Sequence, residues 1–237
     1  NTYSFLQFNR DTMTEVALID HNGEGEATAN IQLCTAHWYG GNREQSCENT
    51  VKSVKKLLGG IQIDGYYELN MSEIPKLNNM VDGVTVTVED DFSKKYPKMK
   101  KGATINLDDE QAYAYVHDRY GVGDEENTSR MKRQQQYMTG FFKKLQEKVK
   151  ANPNYANEVF ESLQDVSTTD ITIGKISNIS NIFASGTDKG IFELAGKSKI
   201  GQALGDEIDH MEFYVNKKAM VSTMSELFGI VEQKNKE

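Results

Sequence analysis

Residues 84–88 read Val-Thr-Val-Thr-Val, a period of two that suits only a β-strand with one buried face. Just before it, Ser72 offers a helix N-cap, Pro75 fits a first turn and Gly83 a stop, so the period changes from 3.6 to 2 within a few residues. The change recurs along the chain. Tyr3 to Phe8 clusters aromatic and apolar residues as a strand does. Val51, Val54, Leu57 and Leu58 then recur at helical spacing, closed by Gly59-Gly60, and Ile61 to Leu69 reads as a strand. Beyond a Lys-rich loop over 93–102, Asp108 and Gln111 form a capping box with Leu107 as staple. They open a helix that turns Ala112, Tyr115 and Val116 inward and ends near Asp118.

A longer helix spans about 128–150, with Met131, Met138, Phe142, Leu145 and Val149 along one side. Pro153 separates it from a helix through Val159, Phe160 and Leu163, and another carries Ile176, Ile179, Ile182 and Phe183. Short strands at 191–194 and 211–215 precede a last helix with Met220, Val221, Met224, Leu227 and Phe228. Alternating strands and helices favour a sheet flanked by helices, and no repeat or linker divides the chain. A single domain over 1–237 is expected.

Charge limits the partners. With 27 basic against 35 acidic residues the net charge is −8, which argues against a general nucleic-acid binder. Any anion site must be local. No apolar run approaches the ~20 residues of a membrane span, and no signal peptide is visible. The chain starts at Asn1 and enters the apolar YSFLQF at once, which suggests a piece of a longer protein. The two cysteines, Cys34 and Cys47, are either buried small hydrophobes or, in an oxidising compartment, a disulfide. With nearby His37 they fall short of the four ligands of a structural zinc site. Trp38 and Tyr39 read as packing residues, His21 as a loop histidine and His210, beside Asp209, as a surface one. Met80, Met131, Met138 and Met224 read as core.

The arginines are scarce and clustered. Only Arg10, Arg43, Arg119, Arg130 and Arg133 occur, and three of them flank the acidic run Asp124-Glu125-Glu126. On the 128–150 helix, Arg130, Arg133, Gln134 and Tyr137 share one face at the N-terminal end, where free N–H groups and the helix dipole favour anions. Arginine's planar fork grips phosphate bidentately. The competing reading is a solvated ion-pair surface with those carboxylates.

The ordered motifs resemble the LytR-CpsA-Psr family, which attaches secondary glycopolymers to the bacterial cell wall. FNRDTM resembles its Arg-Asp pair (Arg10, Asp11), and QLCTAHWYGG, NNMVDGVTVTVEDDF, GATINLDDEQAYAYVHDR and NTSRMKRQ resemble its later motifs in order. The similarity spans about Phe5 to Gln136, and VSTTDITIGKISNIS resembles a further segment.

The resemblance implies a three-layer α/β/α sandwich with a mixed central sheet holding Ile63–Leu69 and Val84–Val88. It implies a phosphotransferase acting on a polyprenyl-pyrophosphate glycopolymer of teichoic acid or capsular type, with peptidoglycan as acceptor. Arg119 and Arg130 are the expected catalytic pair, and Arg10, Arg119, Arg130, Arg133, Gln134 and His117 the expected substrate-binding set. The guanidinium groups are expected to converge at the mouth of an apolar tunnel.

The setting implied is Gram-positive, with the domain outside the cell membrane and a single-pass anchor preceding it. That compartment permits a Cys34–Cys47 disulfide. The family's Mg2+ aspartates lie upstream of its Arg-Asp pair, so Mg2+ is expected in the full-length protein and this chain, starting after them, is expected to lack the metal site. Two positions depart from the pattern: His117 replaces the first arginine of R-x-R, and Asn127 replaces an aspartate, leaving at most a helix cap. These departures keep a non-catalytic polyprenyl-phosphate binder or envelope regulator as the alternative.

Overall fold

The structure, a computed structural model, describes residues 1–25 and 27–229. Mixed helices and short strands make it an α/β protein, as the alternation of periods predicts. Ten strands pair two by two: β1 (Thr2–Gln7) with β8 (Thr187–Glu193), β2 (Met13–Ala17) with β3 (Thr28–Gln32), and β4 (Tyr67–Leu69) with β7 (Ser167–Thr169). The others are β5 (Thr85–Thr87) with β6 (Thr104–Asn106), and β9 (Gly196–Gly201) with β10 (His210–Val215). The expected Ile63–Leu69 and Val84–Val88 therefore sit in different ladders. The first strand is also shorter than expected. The Tyr66 N–H donates to the Asp170 carboxylate at 2.8 Å and not to a neighbouring strand, so the ladder stops short of Tyr66.

The chain forms two compact units. One comprises 1–3, 69–167 and 171–190 and is called here the arginine unit; the other comprises 4–68, 168–170 and the chain from Ile191 onward, called the hairpin unit. Pro153 lies inside the arginine unit, so no boundary falls there.

In the hairpin unit, β2 and β3 run antiparallel with Met13 opposite Gln32, and β9 and β10 with His210 opposite Gly201. A parallel bridge between Thr12 and Phe213 links the two hairpins, the Phe213 N–H donating to the Asp11 carbonyl at 2.8 Å. α1 (Arg43–Leu57) packs on β2 and on a 3₁₀ turn over Leu33–Trp38. Asn49 is wholly buried there. Its amide donates to the Ala17 carbonyl at 2.9 Å and the Ala36 carbonyl at 3.0 Å, joining strand, turn and helix. α7 (Lys217–Phe228) buries Met224 against Leu58 and Leu194, and ends at Gly229 in the left-handed conformation that glycine favours.

The arginine unit is built on the alternating strand. Val84, Val86 and Val88 are buried while Thr85 and Thr87 face out, as period two demands. Over them lie α2 (Ile74–Met80), α3 (Asp109–His117) and α4 (Asn127–Ala151), followed by α5 (Tyr155–Ser162) and α6 (Ile173–Ser185). Asn78 joins these pieces. Its amide donates to the Leu107 carbonyl and to Asp109, and its oxygen accepts from the Val84 N–H and from the Tyr137 hydroxyl. α3 starts with both halves of the Asp108–Gln111 capping box formed, as expected. Ser72 does not cap α2; it sits in a 3₁₀ turn whose N–H is taken by Asn70 at 3.1 Å. The α6 face carrying Ile179 and Ile182 is half-exposed rather than core.

Burial leaves a titratable mark. Tyr115 is fully buried and its hydroxyl donates to Gln136 at 2.6 Å; burial pushes its pKa up to about 12 from 10.0. The fold thus holds Tyr115 protonated where the unfolded chain would ionise it. Its contribution is whole below pH 10 and is lost as pH rises toward 12, about 2–3 kcal/mol at 1.36 kcal/mol per unit. The stability advantage of the parent over Tyr115→Phe, measured by urea unfolding, should shrink by that amount between pH 10 and pH 12. A constant difference across that range would contradict it.

Candidate functional site

α3 and α4 position the site. α3 runs out at Asp118, and the loop through Val122 returns the chain to start α4. The acidic run shapes this loop. Asp124 accepts from the Glu126 N–H at 2.9 Å and the Ser129 hydroxyl at 2.7 Å, and Glu125 accepts from the Gly121 N–H at 2.7 Å. Those hydrogen bonds, the Glu126 backbone first, hold the Asp124 carboxyl below the usual carboxylate range. Asn127 is the first helical residue and does not cap α4. Its side-chain oxygen instead accepts from Arg130 at 2.6 Å.

Arg133 is the correction of most consequence. Expected among the substrate-binding residues, it is 1% exposed and spent inside the unit. Its Nε donates to the Tyr115 carbonyl at 2.9 Å, one terminal nitrogen pairs with Asp90 at 2.5 Å, and the other donates to the Asp118 carbonyl. The guanidinium also lies over the Phe92 ring, 5.2 Å from its centroid. Gly123 lies against the Asp90 carboxylate at φ +56°, so an added Cβ would come within 2.6 Å of it. The inward face of α4 is Arg133, Tyr137, Phe141 and Val149, with Met138, Phe142 and Leu145 at its margin. The expected anion face and the buried face therefore coincide at Arg133 and Tyr137. Tyr137, four residues from Arg133, was the available clue: an aromatic on that face marks it as inward-facing.

The other expected residues stay nearer the surface. Gln134 donates to the Val116 carbonyl at 3.0 Å, so it and Arg133 both staple the start of α4 to the end of α3. Arg119 leaves the end of α3 one residue later, half-buried, stacked 4.6 Å from the Tyr120 ring centroid and donating to its hydroxyl. Among the described residues no carboxylate lies within ion-pair distance of Arg119. His117 is exposed, stacked on Tyr113 at 4.7 Å, its Nδ1 3.1 Å from Asp118. In the hairpin unit, Arg10 occupies the turn between β1 and β2, half-exposed, 3.4 Å from Asp11 and 3.6 Å from the Cys34 sulfur.

A LytR_cpsA_psr family model matches residues 1–228. The chain belongs to the LytR-CpsA-Psr family. No curated protein sequence matches it. Among solved structures, gbs0355 from Streptococcus agalactiae is 21% identical with a TM-score of 0.73, covering 96% of this chain and 74% of that one. TagV from B. subtilis is 20% identical with a TM-score of 0.67, covering 95% and 83%. A TagT structure bound to LIIa-WTA is 21% identical with a TM-score of 0.65, covering 95% and 78%. These likenesses establish the fold of a LytR-CpsA-Psr domain.

Three further expectations meet the structure here. Cys34 and Cys47 are both free thiols: Cys34 faces Arg10, while the Cys47 sulfur lies 3.8 Å from the His37 ring. They point to different neighbours, so no disulfide joins them. Burial pushes both thiols up, so neither is an activated nucleophile in the metal-free chain. Trp38 is 65% exposed, not packed, and His210, expected at the surface, is half-buried and pairs with Asp206 at 2.8 Å.

Mg2+ is expected on aspartates that precede Arg10 in the full-length protein, not on the side chains gathered here. The one group of three metal-competent side chains among the described residues is His37, Cys47 and Glu68, and a thiol and an imidazole do not suit a hard, oxygen-seeking ion.

The packing role of Arg133 is testable directly. Arg133→Ala would leave the half-buried Asp90 unpaired and two carbonyls without donors, at a cost of about 2–4 kcal/mol. Lysine should rescue little, since one amine cannot reach all three acceptors. Denaturant unfolding that places Arg133→Ala within 1 kcal/mol of the parent would refute the role.

Proposed function

We propose that the protein is a phosphotransferase that moves a polyprenyl-pyrophosphate-linked glycopolymer onto peptidoglycan. LytR-CpsA-Psr proteins as a family serve cell-wall glycopolymer transfer, and one structural neighbour carries LIIa-WTA. The observation that carries the reading is Arg119. In a chain of net charge −8 it is a half-buried cation whose partner is a neutral tyrosine, beside the helix start that carries Arg130. A cation held in shape but not neutralised by a carboxylate suits an incoming phosphate.

In this reaction an acceptor hydroxyl attacks the phosphorus attached to the glycan and gives its proton to solvent. The new O–P bond forms as the bridging P–O bond of the pyrophosphate breaks, and polyprenyl phosphate leaves with that electron pair. Arg119 and Arg130 stabilise the charge that builds on the transferred group and the leaving phosphate. Gln134, on the same helix as Arg130, is the supporting binding residue carried by the family motif. The domain works outside the membrane, tethered by an anchor, with teichoic acid or capsular polymer as cargo. Among the described residues no helix is long and apolar enough to cross a membrane.

A second reading rests on Asn127. Where the family pattern has an aspartate, this chain places an amide oxygen on Arg130, which orients the guanidinium and cannot accept a proton as a base. That is compatible with a protein that binds polyprenyl phosphates without turning them over.

A synthetic polyprenyl-pyrophosphate disaccharide with a peptidoglycan fragment separates the two readings. Transfer should release polyprenyl phosphate, with Arg119→Ala slowing it by roughly 10²-fold or more, the scale of losing a charge-stabilising donor. Arg130→Ala should weaken polyprenyl-phosphate binding by about 1.5 kcal/mol or more. Tight binding with no release favours the non-catalytic reading. Undiminished binding by Arg130→Ala would place the phosphate elsewhere.

A further inference from the structure

His37, Cys47 and Glu68 come from three separate elements of the hairpin unit: the last turn of the 3₁₀ segment, the first turns of α1, and β4. Their ligand atoms lie within 4.8 Å of one another, and the Cys47 sulfur is 3.8 Å from His37 Nε2. We propose that this triad is a binding site for one divalent zinc-class cation, with water completing the tetrahedron.

Geometry supports it first. Bonds of about 2.0 Å to nitrogen and oxygen and 2.3 Å to sulfur set tetrahedral donor–donor separations of roughly 3.3–3.5 Å for this set. The sulfur–nitrogen pair, at 3.8 Å, is within ~0.3 Å of that spacing. The carboxylate needs to close by no more than ~1.5 Å, within the swing of a half-buried glutamate.

Burial is graded in the useful direction. Cys47 is 4% exposed and forms the floor, while His37 and Glu68 are half-buried and leave a side open to solvent. An ion can enter there and retain a water, the three-ligand arrangement that zinc sites with an open position use.

The surroundings hold the ligands in place. Arg43, at the start of α1, pairs with one Glu68 oxygen at 2.5 Å, which tethers the carboxylate by that oxygen and leaves the other to turn toward a metal. This is the outer-shell support that oriented metal ligands commonly have. The donor set is also selective. Thiolate, imidazole and carboxylate together favour zinc and its neighbours over magnesium and calcium, which seek oxygen alone. Sequence spacing concealed the site, because Glu68 lies 21 residues beyond Cys47 and the nearer cysteine, Cys34, is turned toward Arg10.

Cobalt(II) titration of the reduced chain tests this without any assay of transfer. One equivalent should saturate a sulfur-to-cobalt charge-transfer band in the near ultraviolet together with visible bands of tetrahedral intensity, and zinc should bleach both. Cys47→Ser should abolish the charge-transfer band, whereas Cys34→Ser should leave it unchanged. His37→Ala and Glu68→Gln should each weaken cobalt binding by roughly ten-fold or more, at least the penalty seen for outer-shell partners. Absence of the band in the parent overturns the site, as does its loss in Cys34→Ser or its survival in Cys47→Ser. Should the buried Cys47→Ser fail to fold, the two half-exposed positions decide: unchanged affinity in both means the triad is a packing contact only.

Discussion

The arginine unit depends on a cation that sequence reading would leave in solvent. Arg133 is buried, and a buried guanidinium is tolerated only when its charge is paired and its donors are used. Asp90 supplies the charge, and the carbonyls of Tyr115 and Asp118 take the other two nitrogens. Those acceptors belong to the segment after β5 and to the last turn and exit of α3. One side chain therefore fixes where α4 begins relative to the strand and helix that precede it. Gly123 follows from the same constraint, because any side chain there would press on Asp90.

Fixing the start of α4 has a direct effect on the surface. Arg133 and Gln134 bind backbone carbonyls of α3 and its exit, so the segment carrying Arg119 and the helix carrying Arg130 are tied together by hydrogen bonds. The acidic run completes the junction by accepting backbone N–H and serine donors. This answers the proximity of arginines and carboxylates in sequence. Asp124 and Glu125 hold the loop; the partner of Arg133 is Asp90, 43 residues earlier. Preorganised donors are more effective toward a developing charge than flexible ones, because no reorganisation remains to be done at the moment of reaction.

What the sequence reveals and conceals follows from the range of the forces involved. The valines of 84–88 and the Asp108–Gln111 box are set by residues within a turn or two, and both are readable. Strands of three residues such as β6 and β7 carry too short a pattern to read, and their pairing is decided by distant segments. The inward side of α4 was misread for a related reason. An arginine counts as polar in any periodicity, yet its burial depends on an aspartate whose position only the fold supplies. The same limit hid Glu68, which joins His37 and Cys47 only after β4 is in place.

The five arginines obey one rule that the 22 lysines do not have to. Arg10 contacts Asp11 and Cys34, Arg43 grips Glu68, Arg119 stacks on Tyr120, Arg130 binds Asn127, and Arg133 spans three acceptors. Each is in a directional contact, where a planar fork with fixed donors outperforms a point charge on a flexible stem. Lysine suffices for solubility on an acidic chain, where screening over about 8 Å erases the detail of placement. Arginine is placed where angle matters: in the core, beside the carboxylate of the His37–Cys47–Glu68 triad, and at the junction of α3 and α4. At that junction, Arg119 is held by the Tyr120 ring and hydroxyl and has no carboxylate partner among the described residues, so aromatic stacking and not ion pairing sets its orientation.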